Sequence, residues 1–524
     1  MHPTQTSISA PLPRGMTPLR ACVLSAAFAL ARAQRAPLAA GFVITINDNT
    51  TSAFNDAGLA FSSPNASDVI SRAIAALPYP GGGTVLLRAG AYYLDAPIAI
   101  ERCSVTLRGE SKGGDLYFSS DGTYHGYRNK SGVTLVAPAT DAIVVGATML
   151  ALGITIENLL ITGTTGGDDG ALPRAGWTRG AGVRAARVDT FQLASVAVLR
   201  KEFGVQLGPD VAPFAYDRVM DVVSLDNVYL AFNEWGIYAQ QWVCNVRLRN
   251  IFGYLQEYSL IYKSGTIGQY DWVVSGVSSQ GDGWATNATA GGAVIHIVTG
   301  QQLVLRDIDV AASTSPDRLC AAPLIEIVLE REGPANETEW YSGTVLIDHA
   351  TLASSQTDAV RVSGTGRVDV RALHAGSTGS QAFAGGAPLV NGSAVNVVGA
   401  GADVTVDGGF AGVAGAEAFA GVRRVANVRG YNPRGTIARA WDTARARVGP
   451  GGAEAAPAAG AVYYAFGVDL FVVCGAGAAY SWHAPGGGAA AAVGACTGAP
   501  IALPVGFGIS FDFSSPTNFT VVGN

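Results

Sequence analysis

Charged side chains are scarce in this sequence, and so are the residues that build metal sites. Of the 524 residues only 14% are charged, and the chain has six Cys, six His and four Met. No spacing of Cys and His matches a zinc site. The formal net charge of −6 argues against a nucleic-acid partner, because proteins that bind nucleic acids carry basic patches. We therefore assign no cofactor and no metal site, and we expect no bound nucleic acid.

The sequence also lacks an apolar run long enough to cross a bilayer. The run at 21–31 has eleven residues, whereas a membrane-spanning helix needs about 20. Two arginines precede this run and Ala31-Arg32-Ala33 follows it, which is the pattern of a secretory signal peptide and its cleavage site. We predict that residues 1–33 are a cleaved signal peptide, with a membrane anchor as the alternative. Cleavage would leave no membrane span and a net charge of −9, from 31 basic and 40 acidic residues.

A secreted protein can carry glycans and disulfides, and the sequence has candidates for both. Removal of Cys22 leaves five cysteines, so at least one is unpaired or bonds another chain. Cys474 and Cys496 lie in apolar, strand-like segments and are the pair that we predict to form a bridge. Seven Asn-X-Ser/Thr sequons among only 18 Asn predict exposed loops on a eukaryotic secretory route, or in a virus that uses one. The sequons are at Asn49, Asn65, Asn129, Asn287, Asn336, Asn391 and Asn518.

Glycine and apolar residues are abundant, and the apolar residues follow one repeated pattern. The chain has 67 Gly, 24 Pro and 48% hydrophobic residues, without long helical periodicity, which favours many short strands and turns. Apolar residues recur at i, i+2, i+5 and i+7, a period of two on either side of an extra residue, which predicts strand, tight bend, strand. Clear copies start at Ile154, Val223, Leu303 and Val345, and looser copies at Phe191, Val246, Trp272, Val368 and Val404.

A short strand follows each copy after a loop of variable length, as in "WGIYAQ" and "AVIHIV". The copies recur every 23 to 42 residues, so a fixed coil would carry loops of different size. Three strands per turn, stacked turn on turn, predict an all-β fold, a right-handed parallel β-helix. A β-sandwich is the alternative, but it does not explain a bend at one fixed place between strand pairs.

The segment at 63–111 reads "SPNASDVISRAIAALPYPGGGTVLLRAGAYYLDAPIAIERCSVTLRGES". It resembles the opening of tailspike-like and rhamnogalacturonase-like members of the pectate-lyase-like superfamily, which has the pectin lyase fold. The resemblance implies a helix that caps the coil, followed by a Gly-Gly-Gly-Thr-Val strand, a Gly-x-Tyr turn and a Val-Thr-Leu-Arg-Gly strand. Such a cap has a physical reason, since the first coil has no neighbour to cover its apolar end.

The sequence divides into five predicted parts. They are the signal peptide at 1–33, a lead-in at 34–60, the β-helix at 61–430, a linker at 431–460 and a small C-terminal β-domain at 461–524. An Ala/Gly/Pro-rich run marks the linker, and the final segment resembles a small β-domain that follows such β-helices in phage-tail-like and secreted proteins. Tailspike-like proteins are often trimers, so the resemblance implies a homotrimer as one option. No coiled-coil heptad flanks the predicted β-helix.

Outward residues at the predicted bends form two series. Residues at i+3 alternate in charge over several coils, and they predict a ladder because neighbouring coils stack about 4.8 Å apart. An aspartate between two guanidiniums stays ionised, which suits neither an acid nor a base near neutral pH. Residues at i+4 need the left-handed backbone conformation that Gly, Asn, Asp and His tolerate. The ladder comprises Arg306, Asp348, Arg371 and Asp407, and the bend series includes Asn158, Asn227, Asn250 and His349.

Two short phrases resemble catalytic motifs of this superfamily. The pair Asp348-His349 is similar to a phrase of pectate lyases, but the calcium-binding aspartates of that family have no counterpart at matching positions. We therefore interpret His349 as a bend residue. "GGDDG" contains Asp168 and Asp169 but lacks the Asn-Thr-Asp and Gly-His-Gly that accompany it in polygalacturonases, and we interpret it as a solvated loop.

In this superfamily, substrates commonly lie along the groove beside the third strand of each coil, and the resemblance implies the same place here. Tyr rings can stack on sugar rings, Arg can hold a carboxylate by two hydrogen bonds, and His titrates near neutral pH. The loop "SSQGDGWATNATAGG" adds Asp282 and Trp284 beside this strand. An outer sheet without any ligand is the alternative. The outward residues of the third strand are Arg184, Gln206, Tyr238, Tyr262, His296, Glu326, Arg361 and Asn391.

Two kinds of catalysis fit these residues. A hydrolase needs two carboxylates about 5 to 9.5 Å apart, and Glu326 and Asp282 qualify if the loop folds over the groove. A lyase needs a base for the proton α to a uronate carboxylate and a cation for the anion that forms. Tyr262, His296 and Arg361 can fill these roles, with calcium as a further cation in that case. We predict that Tyr238 and Trp284 bind the substrate.

Two functions therefore remain open at the level of the sequence. The first is a secreted or virion-associated protein that acts on an acidic polysaccharide as a lyase or a hydrolase. The second is a non-catalytic β-helix, a virion spike or a carbohydrate-binding surface protein whose C-terminal module mediates assembly or attachment. The fold alone does not choose between them.

Overall fold

The computed structural model describes most of the repeat region. It covers residues 41–47, 50–111, 132–163, 178–208, 220–240, 243–264, 271–283, 292–299, 302–311, 322–330, 344–353, 357–378, 392–413 and 418–429. It also gives the backbone of the strands at 114–118 and 124–129 and of eight strands between 437 and 523. The predicted signal peptide and the Ala/Gly/Pro-rich run at 448–460 lie outside the described residues.

Short strands and one helix open the described chain. In helix α1, Ala66–Ala75, the side chain of Asn65 caps the N-terminus by accepting from the backbone N–H of Asp68 at 3.0 Å. The apolar face of the helix is buried in the main core. That the helix caps the open coil stays a prediction. The first strands are β1 Phe42–Asn47, β2 Thr50–Asn55, β3 Gly58–Ser63, β4 Gly83–Leu87, β5 Gly90–Tyr93, β6 Ile98–Ile100, β7 Val105–Gly109, β8 Gly114–Phe118, β9 Tyr124–Asn129, β10 Val133–Val136 and β11 Ile143–Val145.

From β12 onward the chain alternates between long and short strands. Each long strand is one copy of the repeat, and each short strand follows it after a loop. The bounds are β12 Ala151–Thr162, β13 Thr178–Ala185, β14 Val188–Leu199, β15 Lys201–Leu207, β16 Asp221–Ala231, β17 Trp235–Ala239, β18 Val246–Tyr254, β19 Ile261–Lys263, β20 Trp272–Gln280, β21 Ile295–Thr299, β22 Leu303–Ala311, β23 Ile325–Leu329, β24 Thr344–Ala353, β25 Val360–Gly364, β26 Gly366–Thr378, β27 Val395–Val398, β28 Ala402–Val413, β29 Phe419–Ala420 and β30 Arg424–Arg429.

The strands stack into two long parallel sheets. Each long strand pairs in parallel with the long strand of the next coil, from β12 through β30. Each short strand pairs in parallel with the next short strand, from β11 through β29. This arrangement is that of a parallel β-helix, the fold expected from the repeat and from the resemblance of the opening segment.

The bend inside each long strand is made by one residue in the left-handed conformation. Asn158, Asn227, Asn250 and His349 have φ of 58°, 55°, 51° and 54°, and the five other residues at this position of the repeat also have positive φ. Two of the asparagines donate to the preceding coil: Asn227 Nδ2 to Ser195 Oγ at 3.1 Å and Asn250 Nδ2 to Asp226 Oδ1 at 3.0 Å. The bend therefore has the place in the coil that the sequence pattern predicts.

The ladder of charges runs along these bends in the predicted register. Asp348 is the Cα partner of Arg306 on one side and of Arg371 on the other, and Arg371 is the partner of Asp407. The contacts are loose, since Arg306 Nε lies 3.9 Å from Asp348 Oδ2. His349 contacts the other oxygen of Asp348 through Nδ1 at 3.0 Å.

The core lies between the two sheets, and the alternation of the strands decides which side chains enter it. Residues such as Ile156, Leu225, Ile237 and Ile295 belong to one continuous apolar cluster along the coil. Residues between them point outward, because successive side chains of a strand lie on opposite faces. The outward column of the short strands is therefore a surface with a fixed register.

The last strands are described by their backbone alone. Cys474 ends β33 and Cys496 lies outside the described residues, so the bridge between them stays a prediction, as does the C-terminal domain. Within the described part of the chain, no helix is long and apolar enough to span a bilayer. These strands are β31 Ile437–Trp441, β32 Val462–Ala465, β33 Leu470–Cys474, β34 Ala479–His483, β35 Val493–Ala495, β36 Ile501–Ala502, β37 Ile509–Ser515 and β38 Asn518–Gly523.

Candidate functional site

The outward residues of the short strands form one column along the coil. Each member is the direct Cα partner of the next. One position differs from the sequence prediction, because the partner of Arg361 is Asn396 and not Asn391, which lies outside the described residues. The loop before β27 shifted the predicted register by five residues. The observed column is Arg184, Gln206, Tyr238, Tyr262, His296, Glu326, Arg361 and Asn396.

The three rings at the centre of the column stack on one another. The rings of Tyr238 and Tyr262 are 5.2 Å apart and inclined by 9°, and those of Tyr262 and His296 are 4.8 Å apart and inclined by 12°. Both faces of Tyr262 are therefore covered by neighbouring rings. This arrangement leaves only the edge and the hydroxyl of Tyr262 for a glycan to meet. Burial is the first cause that raises the pKa of Tyr262, with Tyr238 and Glu326 adding to it, so the phenol stays protonated at neutral pH.

Beyond the rings the column becomes ionic. His296 Nδ1 lies 2.8 Å from Glu326 Oε2, and the two side chains are only 12% and 16% exposed. On the other side of Glu326, Arg361 Nη1 lies 4.0 Å from Oε1 and its side chain is 33% exposed. A carboxylate is thus shared by an imidazole and a guanidinium on successive rungs. The 2.8 Å contact between His296 and Glu326 is within the range of a well-formed hydrogen bond. The 4.0 Å contact between Arg361 and Glu326 is an ion pair without a hydrogen bond.

A carboxylate that the sequence prediction missed completes this end of the site. Asp358 Oδ2 accepts from Arg361 Nε at 2.9 Å and from Asn396 Nδ2 at 3.0 Å, and Oδ1 accepts from the backbone N–H of Ser393 at 3.0 Å. The same four-residue pattern, Thr-Asp-Ala-aliphatic, occurs at 140–143, where Asp141 pairs with Arg184 at 3.0 Å. That internal repeat was the signal in the sequence that could have identified Asp358.

A second missed feature is an aromatic cluster beside the column. The ring of Trp235 lies 5.0 Å from Tyr262 and 5.5 Å from Tyr238 in edge-to-face geometry, and it stacks on Tyr258 at 4.8 Å. Phe203 packs against Tyr238 at 5.1 Å. These residues come from a triplet of polar residue, Glu and aromatic that recurs at 201–203, 233–235 and 256–258.

The glutamates of these triplets make this end of the groove acidic. Burial raises the pKa of Glu234, and the charges of Glu202 and Glu257 raise it further. Burial also raises the pKa of Tyr258, with Glu257 and Glu234 adding to the effect. The groove is therefore acidic beside Trp235 and has its cation at Arg361. The guanidinium of Arg361 is shared with the carboxylates of Asp358 and Glu326.

Asp282 does not lie in the groove, contrary to the sequence prediction. It is fully buried inside the coil, where Oδ1 accepts from the backbone N–H of Gln256 at 2.6 Å and Oδ2 accepts from Ser279 Oγ at 2.6 Å. The amides of Gln256 and Asn233 occupy the same place in the preceding coils, so Asp282 ends an internal polar ladder. Burial raises its pKa to about 7. The hydrolase pair of Glu326 and Asp282 is thus not assembled.

Several predicted residues are not placed by the structure. Trp284 lies outside the described residues, as do Asp168 and Asp169. Of the sequons, only Asn65 has a described side chain, and its Nδ2 donates to Asp95 Oδ2 at 2.6 Å, so glycosylation stays a prediction. Cys103 is a free thiol. Among the residues that the structure covers, no group of three or more His, Cys, Asp or Glu side chains could hold a metal ion.

The geometry supports proton transfer better than it supports hydrolysis by two carboxylates. Glu326 can hold the Nδ1–H of His296, which leaves Nε2 with a lone pair that can accept a proton. Tyr262 supplies a protonated hydroxyl one rung away, and Arg361 supplies a cation two rungs away. An imidazole, a phenol and a guanidinium thus lie on one line along the coil.

The chain matches no family model and no curated protein. It is similar in structure to ORF18 of Geobacillus virus E2, with 11% identity over 88% of this chain and 73% of that one and a TM-score of 0.37. A mutant of DFA-IIIase from Arthrobacter chlorophenolicus has 14% identity over 71% and 96% of the chains, with a TM-score of 0.40. The A-module of a mannuronan C-5 epimerase from Azotobacter vinelandii has 13% identity over 70% and 93%, with a TM-score of 0.30.

Proposed function

We propose that this protein acts on an acidic polysaccharide in the groove along its short strands, removing the proton α to a uronate carboxylate as a lyase does. The observation that carries the proposal is the contact of 2.8 Å between His296 Nδ1 and Glu326 Oε2, next to the guanidinium of Arg361. It joins a base, the group that orients it and a cation on three successive rungs.

His296 is the base in this proposal. Its Nδ1–H donates to Glu326, which fixes the tautomer and turns Nε2 toward the substrate. The carboxylate also stabilises the imidazolium that forms when Nε2 takes the proton from carbon 5 of the uronate. Because both side chains are mostly buried, this stabilisation is stronger than it would be on an open surface.

Arg361 and Tyr262 complete the reaction. Arg361 binds the substrate carboxylate and stabilises the charge that develops on it when the proton leaves. Tyr262 then gives its hydroxyl proton to the departing glycosidic oxygen, and a carbon–carbon double bond forms as the carbon–oxygen bond breaks. Its raised pKa keeps Tyr262 protonated at neutral pH, so that the hydroxyl has a proton to give. Calcium remains a further cation for this chemistry, to be tested by addition and removal.

A second candidate function is non-catalytic binding of a glycan by a secreted or virion-surface protein. The observation that favours it is that the rings and charges of the column already pair with one another, which makes a rigid outer face. In this case the edges of the Tyr rings and the exposed part of Arg361 would hold the glycan. A homotrimer and an attachment role for the C-terminal strands belong to this second proposal.

The first experiment is a screen of the purified protein against acidic and neutral polysaccharides. Ultraviolet absorbance of an unsaturated uronate, together with new reducing ends, supports the lyase. Reducing ends alone mean hydrolysis, and exchange of solvent deuterium into the glycan without cleavage means proton removal without elimination. Binding without any of these products supports the second candidate.

The variants Glu326→Gln and His296→Ala assign the activity to the column. Both should abolish turnover while the protein still folds, since the side chains lie outside the core. The matched controls are Glu157→Gln and His349→Asn, because Glu157 and His349 belong to the bend rows of the other sheet. Equal loss in the controls would refute the assignment.

A further inference from the structure

Asp358 is a carboxylate that lies behind Arg361 and is only 7% exposed. Its oxygens bind Arg361 in the same coil and Ser393 and Asn396 in the next coil, at 2.9 to 3.0 Å. Because three donors from two coils bind this carboxylate, the backbone of the coils fixes its position. Arg361 is therefore attached to a fixed point of the scaffold.

We infer that Asp358 is a positioning residue, which orients Arg361 for a substrate carboxylate. The inference rests on the proposed function and names the residue that fixes its cation. The guanidinium is planar and its N–H groups have fixed directions, so holding Nε also sets the directions of the two terminal nitrogens. Nε is 2.9 Å from Asp358, whereas Nη1 is 4.0 Å from Glu326. Asp358, and not Glu326, sets the orientation.

Because Asp358 holds Arg361, the carboxylate of Glu326 remains available to pair with His296. If Asp358 did not hold Arg361, the guanidinium could move onto Glu326 and form the two-point pair that Arg and carboxylates favour. The same side chain would then neither face the groove nor leave Glu326 Oε2 to orient the imidazole. One nearly buried aspartate thus keeps two functional groups of the column apart.

The chain contains a matched reference pair for this inference. Asp141 accepts from the backbone N–H of Ala181 at 2.6 Å and pairs with Arg184 at 3.0 Å, after the same Thr-Asp-Ala-aliphatic sequence. Arg184 lies four rungs from His296, with Gln206, Tyr238 and Tyr262 between them. Asp141→Asn therefore removes the same chemistry without changing the proposed site.

The test compares Asp358→Asn, Asp141→Asn, Arg361→Gln and the double variant Asp358→Asn/Arg361→Gln in the complete protein. The probes are oligosaccharides of polygalacturonate and alginate, and the readouts are Kd, KM, kcat and the thermal midpoint. Loss of an oriented, charge-assisted contact should raise Kd and KM of Asp358→Asn by about 10-fold or more. Asp141→Asn should lower the thermal midpoint by a similar amount but leave Kd and KM unchanged.

The double variant shows whether Asp358 acts through Arg361. If it does, Asp358→Asn adds no further loss of affinity once Arg361→Gln is present. An unchanged Kd for Asp358→Asn, or a full additional loss in the double variant, would overturn the inference. An effect of Arg361→Gln without one of Asp358→Asn refutes the positioning role alone. No effect of Arg361→Gln refutes both this role and the proposed use of Arg361.

Arg361→Lys keeps the test decisive even if Asp358→Asn does not fold. Lysine retains the charge but has no planar fork that Asp358 could orient. We expect its Kd to rise as much as that of Arg361→Gln. An affinity equal to that of the unchanged protein would show that charge suffices, and it would overturn the inference.

Discussion

The two outward faces of this β-helix carry the same pair of residue types with different surroundings. On the long strands, His349 lies 3.0 Å from Asp348 and its side chain is 67% exposed. On the short strands, His296 lies 2.8 Å from Glu326 and both side chains are mostly buried. A close contact between a His and a carboxylate is therefore no sign of function by itself. The burial of the imidazole distinguishes the second pair, since both carboxylates also have an arginine at 3.9 to 4.0 Å.

The difference arises from the place of each pair in the coil. At the bend, the charged side chains reach into solvent, and the side chain of Arg306 is 54% exposed. In the column of the short strands, each side chain lies beside the next rung, and the aromatic cluster packs against Tyr238 and Tyr262. Surface ion pairs of the first kind contribute about 0 to 1 kcal/mol.

The largest expected effect is on turnover by His296→Ala. Loss of a general base lowers kcat by about 10²- to 10⁴-fold, whereas His349→Asn should leave kcat unchanged because Asn tolerates the left-handed bend. Initial rates on the best substrate of the screen measure both. Equal activity of the two variants would contradict the prediction that only the face with His296 is functional.

The next largest effect concerns Asp282, a carboxylate inside the coil that belongs to neither face. Burial raises its pKa to about 7, whereas an unfolded Asp has a pKa of about 3.9. Between these values the folded protein binds the proton and the unfolded chain does not, so its contribution to stability is complete below about pH 4. The contribution is lost as the pH rises toward 7, by about 4 kcal/mol at most.

Asp282→Asn should remove this loss and raise the thermal midpoint at pH 7 and above. The amide oxygen can still accept from Gln256, and the Ser279 hydroxyl can accept from the new NH₂ because hydroxyls both donate and accept. Thermal unfolding from pH 4 to pH 8 measures the effect. The control is Asp348→Asn on the exposed ladder, and a similar change of slope in both variants would contradict the prediction.

A smaller effect is expected at the bends. Asn250→Val should lower the free energy of unfolding by about 1–2 kcal/mol, because a β-branched residue is strained at φ of 51°. Asn250→Gly should cost less, since glycine adopts this conformation without strain. Denaturant unfolding of the two variants measures the difference. Because both variants lose the hydrogen bond to Asp226, equal losses would mean that this bond and not backbone strain dominates, which would contradict the prediction.

The smallest effect is expected on the ladder itself. Arg306→Gln should change the free energy of unfolding by less than about 0.5 kcal/mol, because its ion pair is long and exposed. High salt should reduce even this difference, since ions screen exposed charges. A loss of several kcal/mol would mean that the ladder holds the coils together, and the contrast between the two faces would then need revision.

The sequence predicted some site residues and missed others for identifiable reasons. Tyr238, Tyr262, His296, Glu326 and Arg361 could be aligned because strand alternation is regular over these five coils. The prediction that Asn391 follows Arg361 in the column was wrong because a long loop separates β25 from β27. The alternation of residues along a strand gives no register across a loop. The prediction that Asp282 faces the groove was wrong because this residue ends a polar ladder inside a corner of the coil. The alternation with a period of two does not hold there.

The missed residues share another cause. Asp358 lies at a corner just before β25 and Trp235 is the first residue of β17, and both are outside the repeat of apolar positions. Their motifs recur in the sequence, but a recurring triplet does not tell which side of the coil it occupies. Only the stacking of coils shows that these residues lie beside the column.

The sequence by itself determined the coil, the bend and the register of the outward series as far as Arg361, because a backbone with alternating side chains and a left-handed residue at each bend has few ways to bury its apolar positions. The tertiary structure decided which polar residues are accessible. It enclosed Asp282, covered both faces of Tyr262 and placed Asp358 behind Arg361. The physical reason is that burial and contact across coils depend on groups 20 to 40 residues apart, whose proximity no local pattern specifies.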